Sequence, residues 1–204
     1  DILYFDWSLF YLRYNQRIGF LLLANRPPLF LDFRFQTNIG DSRHYGLESL
    51  TELSLSRLFF RRKTKAELRW YTNFSWIDAR YVQVADRSID GNKVEYVPEF
   101  LLRTGLNFSW KGLKASYQFS YLGEQFTDAT NAIGPVSGAV SGLIPSYFVM
   151  DLSLSYEYTF LKLSTGVNNL TDERYFTRRA ESYPGPGIIP AAGRNFYVSL
   201  RGQF

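Results

Sequence analysis

The chain has 204 residues, a net charge of +4 from 23 basic and 19 acidic side chains, and an aromatic content of 18%. That richness in rings, with charges scattered singly among apolar neighbours, excludes a disordered chain. No apolar run approaches the roughly 18 residues of a spanning helix, and the lack of cysteine excludes disulfides, thiolate metal sites and a cysteine nucleophile.

In chain order the dominant signal is alternation with period two, the mark of strands with one apolar face. A first strand is expected from about Asp6 to Ile18, and a second from Tyr45 to Leu55 with Gly46, Glu48 and Glu52 on its polar side. The third sets Leu68, Trp70, Thr72, Phe74 and Trp76 against Arg69, Tyr71, Asn73 and Ser75. The fourth sets Leu102, Thr104, Leu106, Phe108 and Trp110 against Arg103, Gly105, Asn107 and Ser109. Ala115 to Tyr121 follows. The clearest strand runs from Phe148 to Tyr158, with even positions apolar and odd positions Val149, Asp151, Ser153, Ser155 and Glu157. Leu161 to Val167 and Phe196 to Phe204 complete eight strands.

The connections alternate in length. Short ones are expected at Arg57 to Lys65, Lys111-Gly112 and Thr159-Phe160. Long ones occupy about Ala24 to Arg43, Asp78 to Pro98, Gly123 to Ser146 and Asp172 to Gly193. That alternation belongs to an outer-membrane barrel, with tight periplasmic turns and longer outer loops, and a soluble sandwich does not predict it. Trp110, Tyr158 and Phe160 fall at one end of their strands and Trp76, Tyr121 and Phe148 at the other, as two interfacial girdles require. The expected fold is therefore an all-β, antiparallel transmembrane barrel.

Eight strands can close on themselves or form part of a wider wall. The inward faces carry Ser116, Ser120, Ser153, Ser155, Ser164 and Gly166, small residues that leave voids in a narrow interior but suit a wide wet lumen. Part of a wider barrel is the favoured expectation. A self-contained eight-stranded barrel with a structural or adhesive role is the alternative.

Two segments carry a resemblance. Thr165-Gly166-Val167-Asn168-Asn169-Leu170-Thr171-Asp172-Glu173-Arg174-Tyr175-Phe176 is similar to the penultimate strand of TonB-dependent outer-membrane receptors, and Gly193-Arg194-Asn195-Phe196-Tyr197-Val198-Ser199-Leu200, ending on Phe204, resembles their last strand. The segments Tyr96-Val97-Pro98-Glu99-Phe100, Gly123 to Asn131, Gly142 to Tyr147, and Thr177-Arg178-Arg179 with Tyr183-Pro184-Gly185-Pro186-Gly187 look similar to the ferric-citrate branch. The resemblance implies that residues 1–204 are the C-terminal part of a 22-stranded barrel whose plug and TonB-contacting segment lie outside this sequence. It further implies uptake of ferric citrate or another carboxylate siderophore, energised through TonB, with iron carried in the substrate and no resident cofactor. The implied surroundings are outer-membrane lipid and lipopolysaccharide, with the strand ending at Phe204 read by the barrel-assembly machinery.

Guanidinium groups suit an anionic iron complex because they bond carboxylates in pairs. Arg178 and Arg179 in the last long loop, with Tyr183 beside them, are the first ligand candidates, and their plain alternative is solvated charge or contact with lipopolysaccharide phosphates. Arg80 and Arg87 in the second loop and Gln125 at the lip of the third are further candidates. His44, the single histidine, lies beside Asp41 and Ser42 and raises a hydrolase reading, which requires a nucleophile within reach of the imidazole. Asp86, Asp90 and Asn92 around Gly91 miss the ligand order of a calcium loop and read as a turn. The sequons at Asn73, Asn107 and Asn169 lie in or beside strands and are chance matches. Dispersed arginines and the absence of a phosphate loop give no support to nucleic-acid binding.

Overall fold

The computed structural model describes residues 2–23, 33–60, 65–134, 139–180 and 185–202. Eight long strands form one antiparallel sheet: β1 (Leu3–Leu23), β2 (Phe33–Ser54), β3 (Glu67–Val84), β4 (Phe100–Trp110), β5 (Leu113–Leu122), β8 (Tyr147–Tyr158), β9 (Leu161–Asn168) and β12 (Asn195–Gly202), paired in that order. Two small hairpins lie in the long connections, β6 (Gln125–Phe126) with β7 (Leu143–Ile144), and β10 (Phe176–Ala180) with β11 (Gly187–Pro190). A single-turn helix, α1 (Leu55–Phe60), follows β2. Among the described residues β1 and β12 do not pair with each other, so the sheet is open.

All eight expected strands are present, and the three short links fall where the sequence puts them. The Lys111-Gly112 link has φ of 44° and 84°, the positive pair that a two-residue hairpin turn needs. Three strands are much longer than expected. β1 reaches Leu23, β2 begins at Phe33 and β3 runs on to Val84, so most of the expected first long loop and the start of the second are strand. Alternation fails to announce these extensions because both of their faces change environment: Ala79 and Tyr81 become buried under loops while Asp78 and Arg80 pair on the other side.

The register gathers the apolar positions on one face. Leu102 stands opposite Tyr121 and Tyr121 opposite Phe148. Leu106, Tyr117, Leu152 and Val167 follow in one row, and Trp110, Leu113, Tyr156 and Leu163 in another. This face is open, with Leu9, Tyr158, Phe196 and Leu200 among its exposed large side chains. A contiguous apolar surface of that extent demands a partner, lipid or protein. No helix among the described residues is long and apolar enough to cross a membrane.

The opposite face carries the polar set, and it makes room for three cross-strand rings. Phe10 pairs with Gly46, Tyr71 with Gly105 and Tyr197 with Gly166. A Cβ on each glycine would lie 2.8 Å, 2.8 Å and 2.5 Å from the partner ring, so the rings lie flat across the backbone where a side chain would otherwise stand.

The buried core is at the long-loop end, not in the middle of the sheet. Ile39, Ala79, Tyr81, Ile89, Val94 and Ala129 pack together, with Leu21, Ile77, Val84 and Val97 around them. The end of the second connection returns beside β3, where the amide of Val94 donates to the Ala79 carbonyl and the amide of Ile77 to that of Glu99. The expected turn at Asp90-Gly91 is present, with φ of 83° at Gly91 and the Asp86 carboxylate accepting from the Ser88 amide and hydroxyl.

Candidate functional site

The loops above the sheet are locked together by contacts distant in sequence. The amide of Ala129 donates to the Phe20 carbonyl, tying the third connection to β1. The Asn131 side chain accepts from the Lys93 amide at 2.7 Å and donates to the Lys93 carbonyl at 2.9 Å. Asn92 donates to the Ala129 carbonyl at 2.9 Å. Underneath, the Tyr81 hydroxyl donates to Glu95 at 2.7 Å while the Phe20 amide donates to the other oxygen of the same carboxylate. Burial, followed by this carboxylate, pushes the Tyr81 phenol well above its usual range.

Arg179 closes the assembly. Its guanidinium donates to the carbonyls of Ala139 at 2.9 Å and Leu143 at 3.0 Å and stacks 5.0 Å above the Phe176 ring. Burial draws its pKa down. The β10–β11 hairpin is thereby clamped on the β6–β7 hairpin, the same element that places the buried Gln125, whose backbone pairs with Ile144. Of the expected ligand residues, the structure thus brings Arg179 and Gln125 to one element, with Arg179 committed to backbone carbonyls. Arg178 sits next in the strand but is exposed, and among the described residues its side chain makes no hydrogen bond. Arg80 alternates with the buried Ala79 and Tyr81, and its guanidinium is committed to Asp78 at 2.7 Å and to the Gly91 carbonyl of the second connection. Arg87 is exposed on the turn. Tyr183 and Phe204 lie outside the described residues.

His44 does have a hydroxyl within reach: Ser42 Oγ is 3.1 Å from its Nε2. Period two places residues 42 and 44 on one face, a contact that sequence alone can suggest. The pair is sealed, however, with Ser42 at 0% and His44 at 8% exposure and the Tyr14 ring edge-on at 5.0 Å. Among the described residues no carboxylate hydrogen-bonds the imidazole. Burial, then the Arg17 charge, lowers the His44 pKa and keeps the ring neutral. This is a structural pair without access for a substrate. Nor do three His, Cys, Asp or Glu residues gather anywhere among the described residues in a way that could hold a metal ion.

The conspicuous run after β9 is also structural. The buried Asn169, at φ 54°, donates to the carbonyls of Glu173 and Ala192 and accepts from the Glu173 amide. Its own amide donates to Asp151. Asp172 accepts from the Arg194 amide at 2.9 Å, which holds its carboxyl below the usual range. Tyr175 stacks on Tyr147 at 4.2 Å. Asparagine and aspartate therefore fix the base of the last loop, bringing its two ends together at the start of β12.

The family model for the TonB-dependent receptor-like β-barrel matches residues 1–170. The chain belongs to the TonB-dependent receptor β-barrel family. Solved structures agree with that fold. The unliganded ferric citrate transporter FecA superposes with a TM-score of 0.74 at 20% identity over 98% of this chain, the copper transporter OprC with 0.71 at 19% over all of it, and the ferric yersiniabactin uptake receptor FyuA from Yersinia pestis with 0.70 at 18% over 99%. The chain covers 28%, 29% and 28% of those proteins, so it corresponds to less than a third of each. No curated protein sequence matches it. These relatives in fold are transporters and receptors.

Proposed function

We propose that this TonB-dependent receptor segment forms part of the wall and outer mouth of an outer-membrane transporter for an anionic iron complex, ferric citrate or another carboxylate siderophore. The observation that carries the reading is the open sheet with one continuous apolar face, one polar face and a packed layer of loops at a single end. The unpaired outer strands need neighbours before they can lie in hydrocarbon, where backbone groups find no water. The remaining wall, the plug and the contact with TonB belong to parts of the protein outside this sequence. The exposed Arg178 is the guanidinium best placed to meet an anion, and Arg179 holds the hairpin that presents it.

The test is ferric citrate binding to the intact protein in outer-membrane preparations, with Arg178→Glu as the probe. The reading expects saturable binding that the charge reversal weakens. Equal failure of the wild type to bind ferric citrate and other carboxylate siderophores would remove it.

A further inference from the structure

We infer that α1 is a membrane-surface anchor: its apolar flank enters the leaflet on the short-turn side of the sheet, and the cations that follow it hold the anionic headgroups of phospholipids there. The inference rests on the membrane reading above and adds a partner at the end of the wall remote from the outer mouth.

The connection that carries α1 is longer than the strands require. At the same end, Lys111-Gly112 and Thr159-Phe160 join their strands in two residues. By contrast, β2 and β3 are joined by residues 55–66, which open with the helical turn Leu55–Phe60. Glu67 stands opposite Ser109, so β3 starts level with the end of β4, where the exposed Trp110 lies. The connection thus sits at the level of an aromatic girdle, where an amphipathic segment meets hydrocarbon on one side and headgroups on the other.

The helix sorts its side chains by chemistry. Leu55, Leu58 and Phe59 stand at i, i+3 and i+4 and form one apolar flank. Ser56 and Arg57 lie on the other. Ser56 is buried, its hydroxyl 3.5 Å from that of Ser54, and Arg57 borders a hollow together with Tyr4, Glu52 and Arg69 of the polar face. The polar flank therefore turns toward the lumen, and Leu58 and Phe59, 49% and 68% exposed, turn with the apolar face of Leu53 and Trp70. Their exposure is on the side away from the lumen, so a plug filling the lumen leaves it uncovered.

Charge selects the partner. Residues 55–65 contain Arg57, Arg61, Arg62, Lys63 and Lys65 and no acidic residue. Arg61, Arg62 and Lys63 lie outside the described residues, and Lys65 is exposed. The carboxylates nearest in sequence, Glu52 and Glu67, belong to the polar face, and Glu67 is taken by Arg69 at 2.6 Å. On the neighbouring short link the Lys111 ammonium stacks 5.0 Å above the Trp110 ring, a further cation at the same level. Exposed apolar side chains followed at once by a run of cations fit a bilayer surface of net negative charge, where apolar burial and headgroup attraction act together and either alone is weak.

The experiment places nitroxide labels at Leu58→Cys and Phe59→Cys, with Leu154→Cys as a reference on the apolar face. The intact protein, any other cysteine replaced by serine, is reconstituted in phosphatidylcholine bilayers with and without phosphatidylglycerol. Relaxation by oxygen is expected to exceed relaxation by a water-soluble nickel chelate at each position. A fluorophore on the Phe59→Cys thiol is expected to be quenched about fivefold more by spin-labelled phosphatidylglycerol than by spin-labelled phosphatidylcholine. Arg61→Ser, Arg62→Ser, Lys63→Ser and Lys65→Ser together should erase that preference and leave the label at 154 unchanged. Nickel access at 58 and 59 with oxygen access at 154 would overturn the anchor. Shielding of 58 and 59 from both reagents would also overturn it, by putting a protein segment on the flank, and equal quenching by the two lipids would remove the anionic partner. Nickel access at 154 as well would remove the membrane reading itself.

Discussion

The ring of Tyr197 lies across Gly166, directly opposite it in the β9–β12 pair, and a Cβ at Gly166 would come within 2.5 Å of that ring. The two most recognisable segments of the sequence therefore meet in one contact, a glycine in the penultimate strand receiving an aromatic from the last. The same arrangement recurs at Gly105 and Tyr71, with one difference. A Cβ at Gly105 would also stand 2.3 Å from the Tyr117 carbonyl oxygen, which is backbone and cannot swing away.

That difference sets a prediction. Gly166→Ala should cost about 1–3 kcal/mol by overpacking and should be rescued by Tyr197→Ala, because the obstructing group leaves. Gly105→Ala should cost as much or more and should not be rescued by Tyr71→Ala. Folding yields in bilayers, followed by heat-modifiable gel mobility and denaturant titration, read both pairs.

Asn169→Ala should loosen the base of the last loop. The side chain is 3% exposed and joins Glu173 to Ala192, and leaving those buried groups unpaired costs about 1–3 kcal/mol. Hydrogen exchange across 169–180 should quicken while exchange in β4 and β5 stays unchanged. Uniform quickening across the sheet would mean that the residue supports the whole barrel.

Acidification should weaken the loop layer through His44. Its folded-state pKa lies below the ordinary 6.5 because of burial and the Arg17 charge. The unfolded form therefore binds the proton more readily, and the stabilisation present above pH 6.5 declines as pH falls below it toward the folded value. Hydrogen exchange of residues 77–97 should accelerate between pH 7.5 and pH 5, and His44→Gln should remove that dependence. An unchanged slope in the variant would assign the effect to another group.

Arg179→Ala should expose the β10–β11 hairpin to protease by releasing the Ala139 and Leu143 carbonyls, whereas Arg178→Glu should leave cleavage unchanged and weaken anion binding. Identical cleavage patterns for both would show that Arg179 is not the clamp.

The strands were legible because alternation persists wherever one face is apolar and the other polar, as from Phe148 to Tyr158. It vanishes in the outer half of β3, where Tyr81 is buried on the loop side and Arg80 is paired on the other, and β6 and β7 at two residues each are too short for any period. The identity of the loop arginines as candidates was readable, but their division of labour was not. Arg178 and Arg179 are adjacent in sequence, yet one is exposed and the other reaches carbonyls 36 and 40 residues away.

The most direct test of the central claim, a lipid-facing and a lumen-facing side on one sheet, uses the absence of cysteine from residues 1–204, with any cysteine elsewhere in the intact protein replaced by serine. Single cysteines placed at each position from 149 to 157 in the intact protein, in outer membranes, are challenged with a membrane-impermeant thiol reagent and with a spin label. The account predicts water-accessible thiols at 149, 151, 153, 155 and 157 and lipid-accessible labels at 150, 152, 154 and 156. Uniform reactivity along the strand, or water access at the even positions, would contradict it.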